Sequence, residues 1–373
     1  MALRQPLAIA LLTFGIAAQP PLAHAGKLRK VWEVDLKKSV QMKDGGPNLP
    51  IFALRFSPDG RKLAVIADML GARGTETSRL LVLDWDHPVA GIKEFKVRFG
   101  AKNSEGGQLG LNFGWSPSGE IIYAAESVVN VGSGRTCEGQ RVALFIRDDL
   151  AISRVGPFSP SSDPSHFAFF DAECQEHGRW EVPEGWIIDD VSTDRGLLSI
   201  WKTVNNRDPE SLVVDPFARK VLQRWPGRPG QAKFADSGKA ICRGGDVWAA
   251  NRVPAVCWSV DTGQEIARTP RANGIEPIAT AARATRVVVS DYRRQRKILS
   301  EDPYGKAFTG RVVWDFGTGK ELVSWHPEDQ TYGLAFLASP RLTTEPVRFT
   351  ISPDGQYIAE GGSGIIRLYK VEP

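Results

Sequence analysis

The chain has 373 residues and a formal net charge of only +4, from 47 basic and 43 acidic side chains. Nucleic-acid binding would need Lys and Arg gathered on one face. The densest group, Arg293, Arg294, Arg296 and Lys297, instead reads as a solvated loop between strands. Length alone would allow two or three domains.

The first residues read as an export signal. Arg4 precedes an uncharged apolar run from Leu7 to Ala18, and Ala23-His24-Ala25 supplies the small-x-small pattern cut by signal peptidase. Residues 1–25 are therefore expected to be a signal peptide, cleaved between Ala25 and Gly26, with 26–373 as the folded domain. The apolar run is too short to span a bilayer, and no cysteine stands at the cut to take a lipid anchor. The expected location is periplasmic or secreted, with no stable membrane insertion.

Beyond the signal, one phrase recurs: an apolar run, a turn of Ser, Pro, Asp and Gly, then a second apolar run. It appears at Phe56-Ser57-Pro58-Asp59-Gly60 before KLAVIAD, and at Trp115-Ser116-Pro117-Ser118-Gly119 before IIYAAE. It returns at Phe234-Ala235-Asp236-Ser237-Gly238 and at Ile351-Ser352-Pro353-Asp354-Gly355. Degenerate copies lie at Val191–Gly196 and near Ile278–Arg286. Pro presets φ for the first central turn position, Ser or Asp caps the turn, and Gly supplies positive φ. The flanking runs are too short for helices.

A second hairpin phrase alternates with the first, as in VVWDFGTGKELVSW, VCWSVDTGQEIAR, SLVVDPFARKVLQRW and FAFFDAECQEHGRWEV. Weaker copies surround Trp85 and begin at Val31. Two hairpins make four strands per unit, and the first phrases recur at intervals of 43 to 76 residues. This predicts an all-β fold, a single β-propeller of four-stranded antiparallel blades. Six first phrases favour six blades. Seven is possible, because VALFIRD at 142–148 adds a strand candidate without its own turn phrase. Lys30–Leu36 either begins the first blade or pairs beside the last, so that no edge strand is left open.

Four cysteines, Cys137, Cys174, Cys242 and Cys257, follow the expected cut. An oxidising compartment would let them form two bridges, and three connectivities are possible. Cys242 ends one predicted strand and Cys257 lies in the next, so local pairing across antiparallel strands is favoured. Closing such a loop contributes about 3 kcal/mol in the chain-entropy description. Cys137 with Cys174 is then the remaining pair. Neither has the spacing of a redox or zinc site.

FSPDGRKLAV at 56–65 and FTISPDGQYIAEGG at 349–362 resemble the inner hairpin of the WD40-like β-propeller repeat of exported bacterial proteins, the TolB-type and YVTN-type propellers. VWDFGTGKELVSW resembles its outer hairpin. The Gly-His pair of the eukaryotic WD repeat is absent, and Trp314-Asp315 is the one close match to its terminal dipeptide. The resemblance implies the fold and says little about chemistry.

No catalytic constellation is legible. Past the signal the histidines are His87, His166, His177 and His326, none in H-E-x-x-H. One hairpin could join His166 and His177 near Asp171 and Glu173, but polar turn residues beside a bridge are the favoured reading, and no metal is expected. Gly132-Ser133-Gly134 lacks the spacing and context of a nucleophile elbow and reads as a flexible loop. No phosphate-cradling motif exists. Adjacent acids such as Asp148-Asp149 and Asp189-Asp190 should alternate sides of a strand. Ser192, Asp194 and Gly196 fit part of a sialidase-type Asp box, and Asp315, Thr318, Gly319 and Lys320 part of a quinoprotein blade motif, but each loses its tryptophan. Trp32, Trp85, Trp258 and Trp314 are expected to pack between blades.

The expected function is a non-enzymatic scaffold of the cell envelope that binds a protein or peptide and needs no cofactor. A hydrolase or lactonase-like enzyme with its site at the central channel mouth is the alternative. Loops at 68–79, 99–109, 126–140 and 326–345 are the candidate binding segments. Nothing in the patterning selects an oligomeric state.

Overall fold

The computed structural model describes residues 26–39, 51–70, 77–98, 113–124, 127–138, 143–147, 150–155, 166–181, 186–202, 210–226, 232–243, 254–269, 277–291, 310–325, 348–362 and 364–373. They build seven four-stranded antiparallel sheets. In six of these the strands pair in chain order, innermost first.

The first blade comprises Ile51–Phe56, Lys62–Leu70, Thr77–Asp84 and Lys93–Arg98. The second comprises Phe113–Trp115, Ile121–Ala124, Ser127–Asn130 and Thr136–Glu138. Ala143–Arg147, Leu150–Val155, His166–Phe170 and Glu176–Glu181 form the third. The fourth holds Trp186–Ser192, Leu197–Lys202, Glu210–Asp215 and Lys220–Pro226. The fifth holds Lys233–Ala235, Ala240–Arg243, Val256–Ser259 and Glu265–Arg268. Pro277–Thr280, Arg286–Asp291, Gly310–Asp315 and Lys320–Trp325 make the sixth.

The seventh blade closes the circle. Arg348–Ile351, Tyr357–Gly362 and Ile365–Glu372 are its inner three strands, and Lys27–Asp35 from the other end of the chain is its outermost. Lys27 stands opposite Glu372 and Asp35 opposite Ile365. Of the two placements open for this segment, pairing beside the last blade is the one adopted. Each innermost strand touches that of the next blade, and the seventh touches the first.

Seven blades replace the favoured six. The extra one is the third, whose innermost strand is the Ala143–Arg147 part of VALFIRD. It was hidden because Arg147 meets Leu150 across residues 148 and 149 without the Ser-Pro-Asp-Gly phrase.

Each sheet buries both faces, which is why the strands read as continuous apolar runs. One core joins Leu54, Leu63 and Leu81 of the first blade to Ala359, Ile366 and Leu368 of the seventh. Another joins Ile66 and Leu80 to Phe113 and Ile122 of the second.

The turn phrase works through its serine. The Ser57 hydroxyl accepts from the Lys62 amide at 2.8 Å and donates to Asp59 at 2.6 Å. Ser352 accepts from the Tyr357 amide at 2.9 Å and donates to Asp354 at 2.5 Å. Ser116 accepts from Ile121 at 3.1 Å. All three serines are buried. Gly60, Gly119 and Gly355 follow with φ of +74°, +73° and +73°, as the turn requires.

These turns and those between third and fourth strands share one end of the ring, the turn face. The connections between second and third strands, and between blades, leave by the opposite end.

Ion pairs fasten the closing strand. Glu33 is held below the ordinary glutamate value by hydrogen bonds from Lys30 and then Arg367, against the opposing effect of burial. Arg29 does the same for Glu372. Their contribution is full above the ordinary glutamate range, about pH 4.3, and fades as pH falls through the lower folded-state values. Gly26 lies tight in the seam: its amide donates to the Leu322 carbonyl at 2.9 Å, and a Cβ would stand 2.2 Å from the Glu372 carbonyl. Deleting residues 26–35 should therefore give insoluble protein, because the third strand of the seventh blade becomes an open edge. Soluble, monomeric protein with an unchanged melting temperature would contradict closure by this strand.

Candidate functional site

The ring's centre is walled by innermost strands, each with one edge unpaired within its own sheet. Buried backbone groups need partners, and neighbouring blades supply them. Trp115 Nε1 donates to the Arg55 carbonyl at 3.1 Å, and the Thr280 hydroxyl to the Phe234 carbonyl at 2.7 Å.

Between the fourth and fifth blades the arrangement is ionic. Asp189 accepts from the Ala232 amide at 2.6 Å and Asp190 from the Phe234 amide at 2.8 Å. Lys233 Nζ donates to the Asp189 carbonyl at 3.0 Å and lies 3.6 Å from the Asp190 carboxylate. Asp189 and Lys233 are both buried.

This corrects the expectation that Asp189 and Asp190 alternate sides. The pairing register shifts between Ile188 and Asp190, so both carboxylates reach the same neighbouring strand. Backbone amides engage both, which makes them a staple between blades. The sequence carries no mark of such a bulge, and Lys233 was missed for the same reason.

The turn face is sewn across its seams. Arg195 donates to the Gly238 carbonyl at 3.3 Å and to Asp261 at 2.8 Å. The amides of Asp236 and Ser237 donate to the carbonyls of Ala284 and Ala282. Arg286 donates to the Gly355 carbonyl at 2.9 Å. Phe217 stacks on Phe169 of the third blade at 5.4 Å, with the Arg147 guanidinium 3.9 Å from its ring centre.

The cysteines sit in two different settings. Cys242 and Cys257 oppose each other on the second and third strands of the fifth blade, with Cα atoms 4.0 Å apart and both side chains buried. Cys137, on the fourth strand of the second blade, meets Cys174 in a turn of the third, with sulfurs at disulfide distance and Cα atoms 6.3 Å apart.

The described histidines do not converge. His87 is exposed in a turn of the first blade. His166 opens the third strand opposite Glu181, whereas His177 lies on the fourth strand beside the hairpin turn, 2.5 Å from Asp171. Burial pushes the Asp171 pKa up, but hydrogen bonds from His177 and the amides of Gln175 and Glu173 outweigh it and hold the group below the ordinary aspartate value. Among the described residues no group of three His, Cys, Asp or Glu is placed to hold a metal.

The Asp-box residue Ser192 is buried beneath Gly238 of the next blade. Asp315 caps its own turn by accepting from the Gly317 amide and the Thr285 hydroxyl. Gly132-Ser133-Gly134 is a turn between the third and fourth strands of the second blade, its Ser133 amide bonded to Asn130, so the described part of 126–140, residues 127–138, is strand and turn. Within 68–79 the described residues belong to strands. Segments 99–109 and 326–345, the 293–297 cluster, Asp148-Asp149, His326, Trp248 and residues 1–25 lie outside the described residues.

Of the four tryptophans expected between blades, Trp314 is buried, and Trp32, Trp85 and Trp258 are partly buried against cores. Only Trp258 and Trp314 share a strand position, next to last on the third strand.

Solved structures share this architecture at low sequence identity. A chain of hydrazine synthase from Kuenenia stuttgartiensis matches with a TM-score of 0.53 and 14% identity, over 89% of this chain and 98% of that one. A chain of the mitotic checkpoint complex matches at 0.54 and 10%, over 99% and 100%. The WD40 repeats of RRP9 match at 0.54 and 10%, over 93% and 100%. The chain thus has the fold of WD40-type propellers. No family model matches the sequence, and a search of curated proteins returned none similar to it. Among the described residues no helix is long and apolar enough to cross a membrane.

Asp189→Ala should cost about 1–3 kcal/mol in denaturant unfolding, since it leaves the buried Ala232 amide without its acceptor. Asp171→Asn should flatten the acid limb of the stability curve. The Asp171 contribution is present above about pH 3.9, the free value, and is lost as pH falls through its depressed folded value. An unchanged acid limb would remove Asp171 from the account.

Proposed function

We propose that this WD40-like propeller is a non-enzymatic scaffold that binds a protein or peptide in the periplasm or outside the cell. The observation that carries this reading is the stapled ring itself. Its polar groups at the centre and on the turn face are engaged in holding blades together, which leaves a rigid frame whose outer surface can dock a partner. Protein binding is the common use of WD40-type propellers, and one structural neighbour comes from a multiprotein complex. Two cysteine pairs at disulfide distance favour an oxidising compartment, in keeping with a leader at 1–25 and a mature domain at 26–373 of the exported type.

The fourth and fifth blades are the sector we assign to the partner. Val221 and Ile266, each the second residue of an outermost strand on these neighbouring blades, are 43% and 48% exposed. Crosslinking and capture with the mature chain from its native envelope fraction should recover one stoichiometric protein. Val221→Asp with Ile266→Asp should weaken that capture about tenfold, equivalent to about 1.4 kcal/mol, without moving the melting temperature. Undiminished capture would reject this sector, and turnover of ester or lactone substrates by the purified chain would reject the non-enzymatic reading.

A further inference from the structure

We infer that the Cys137–Cys174 bridge is a site of thiol–disulfide exchange, a reducible latch across the seam between the second and third blades. The inference rests on the oxidising compartment proposed above.

The two bridges differ in what they join. Cys242–Cys257 ties adjacent strands of one blade and is wholly buried. Cys137–Cys174 crosses between blades on the turn face, and both its residues are partly exposed. An attacking thiolate can reach the second without unfolding, whereas the first is protected by the fifth blade's core.

The latch stands where the turn phrase is missing. The third blade has no Ser-Pro-Asp-Gly turn, so it lacks the buried serine and the positive-φ glycine of the first turns in the first, second, fourth and seventh blades, as the sixth blade also does. Deeper in the same seam Tyr123, Phe145, Ile121, Val128 and Ala151 form their own core, with the Tyr123 and Phe145 rings 6.1 Å apart and edge-on. Reduction therefore loosens the outer part of the seam and leaves the ring closed.

The reduced state is provided for. Cys174 has φ +64°, a left-handed value set by its turn, since Gly134, Arg219, Gly263 and Gly319 also have positive φ in the third-to-fourth-strand turns of other blades. Cys137 Sγ lies 3.5 Å from the Ala172 carbonyl, an acceptor for the S–H that reduction creates.

The exchange balances with a thiol reductant. Its thiolate attacks Cys174 Sγ, the S–S bond breaks, and Cys137 leaves as a thiolate that takes a proton from water. A second reductant thiolate then attacks the mixed disulfide and releases Cys174. Two reductant thiols become one disulfide, and the protein disulfide becomes two thiols.

The test titrates the folded mature chain, purified from its native envelope, with dithiothreitol, followed by iodoacetamide labelling and peptide mass spectrometry. Cys137 and Cys174 should be labelled at about tenfold lower reductant than Cys242 and Cys257, with circular dichroism unchanged, since only the buried pair needs opening of its core. Hydrogen exchange should then rise in 127–138 and 166–181 alone. The double variant Cys137→Ser with Cys174→Ser should reproduce that exchange pattern without reductant. Simultaneous labelling of all four cysteines, or no change in exchange in the double variant, would overturn the latch while leaving the compartment standing. A chain isolated with neither bridge formed would sink both.

Discussion

An unpaired strand edge is the constraint from which this architecture follows. Each four-stranded sheet has two such edges, and burying both sheet faces against neighbours does nothing for either. The inner edges are resolved by crowding around the centre, where side chains of adjacent blades reach backbone groups: Trp115 to the Arg55 carbonyl, Asp189 and Asp190 to the amides of Ala232 and Phe234, Thr280 to the Phe234 carbonyl. The seventh blade poses the harder problem, because the segment 348–372 supplies only its inner three strands. Borrowing Lys27–Asp35 supplies the fourth, so two segments more than 300 residues apart in sequence, such as Arg29 and Glu372, become neighbours. Basic residues then populate the new outer edge at Lys27, Arg29 and Lys30, which discourages further strand addition.

The same logic orders the turn face. A four-stranded blade places its first and third turns at one end, and the short Ser-Pro-Asp-Gly connection keeps that end low enough for adjacent turns to touch. Pro58 lies beside Gly119 of the next blade, and Pro353 beside Gly60. Gly238 could not carry a side chain, since a Cβ would meet the Ser192 hydroxyl at 2.1 Å. Turn glycines thus satisfy two demands at once, positive φ and close approach between blades.

Much of this was legible because turn chemistry is local. Pro, Gly and Ser at fixed offsets announce a hairpin without reference to anything distant, and the continuous apolar runs announce burial on both sides. The blade count was less legible, for an instructive reason. The first phrase is missing from the third blade and the second phrase was not recognised in the second, where Asn130 rather than Asp caps the turn. Either phrase alone gives six copies, and only the two sets taken together cover every blade. Ring closure could not be read from pattern, because an outermost strand looks the same whichever neighbour it joins. The Asp189–Asp190 staple was hidden for another reason: a one-residue register shift decides where side chains point, and nothing in the residue types signals it. The cysteine pairing within the fifth blade followed from strand adjacency, whereas the pairing between blades depended on tertiary placement.

The distribution of polar groups says where function can reside. Sheet faces are consumed by packing, the central edges by backbone pairing, and the turn face by contacts across seams. Among the described residues, what remains is the outer strands and the strand ends at the opposite end of the ring. Among the described residues, the Asp189 and Asp190 carboxylates and the Lys233 ammonium at the central edges are engaged with backbone or with each other rather than left to a ligand. Recognition by surface complementarity needs no such groups. It needs a frame that holds its shape while a partner docks, and the staples, ion pairs and the one bridge between blades, Cys137–Cys174, provide that frame.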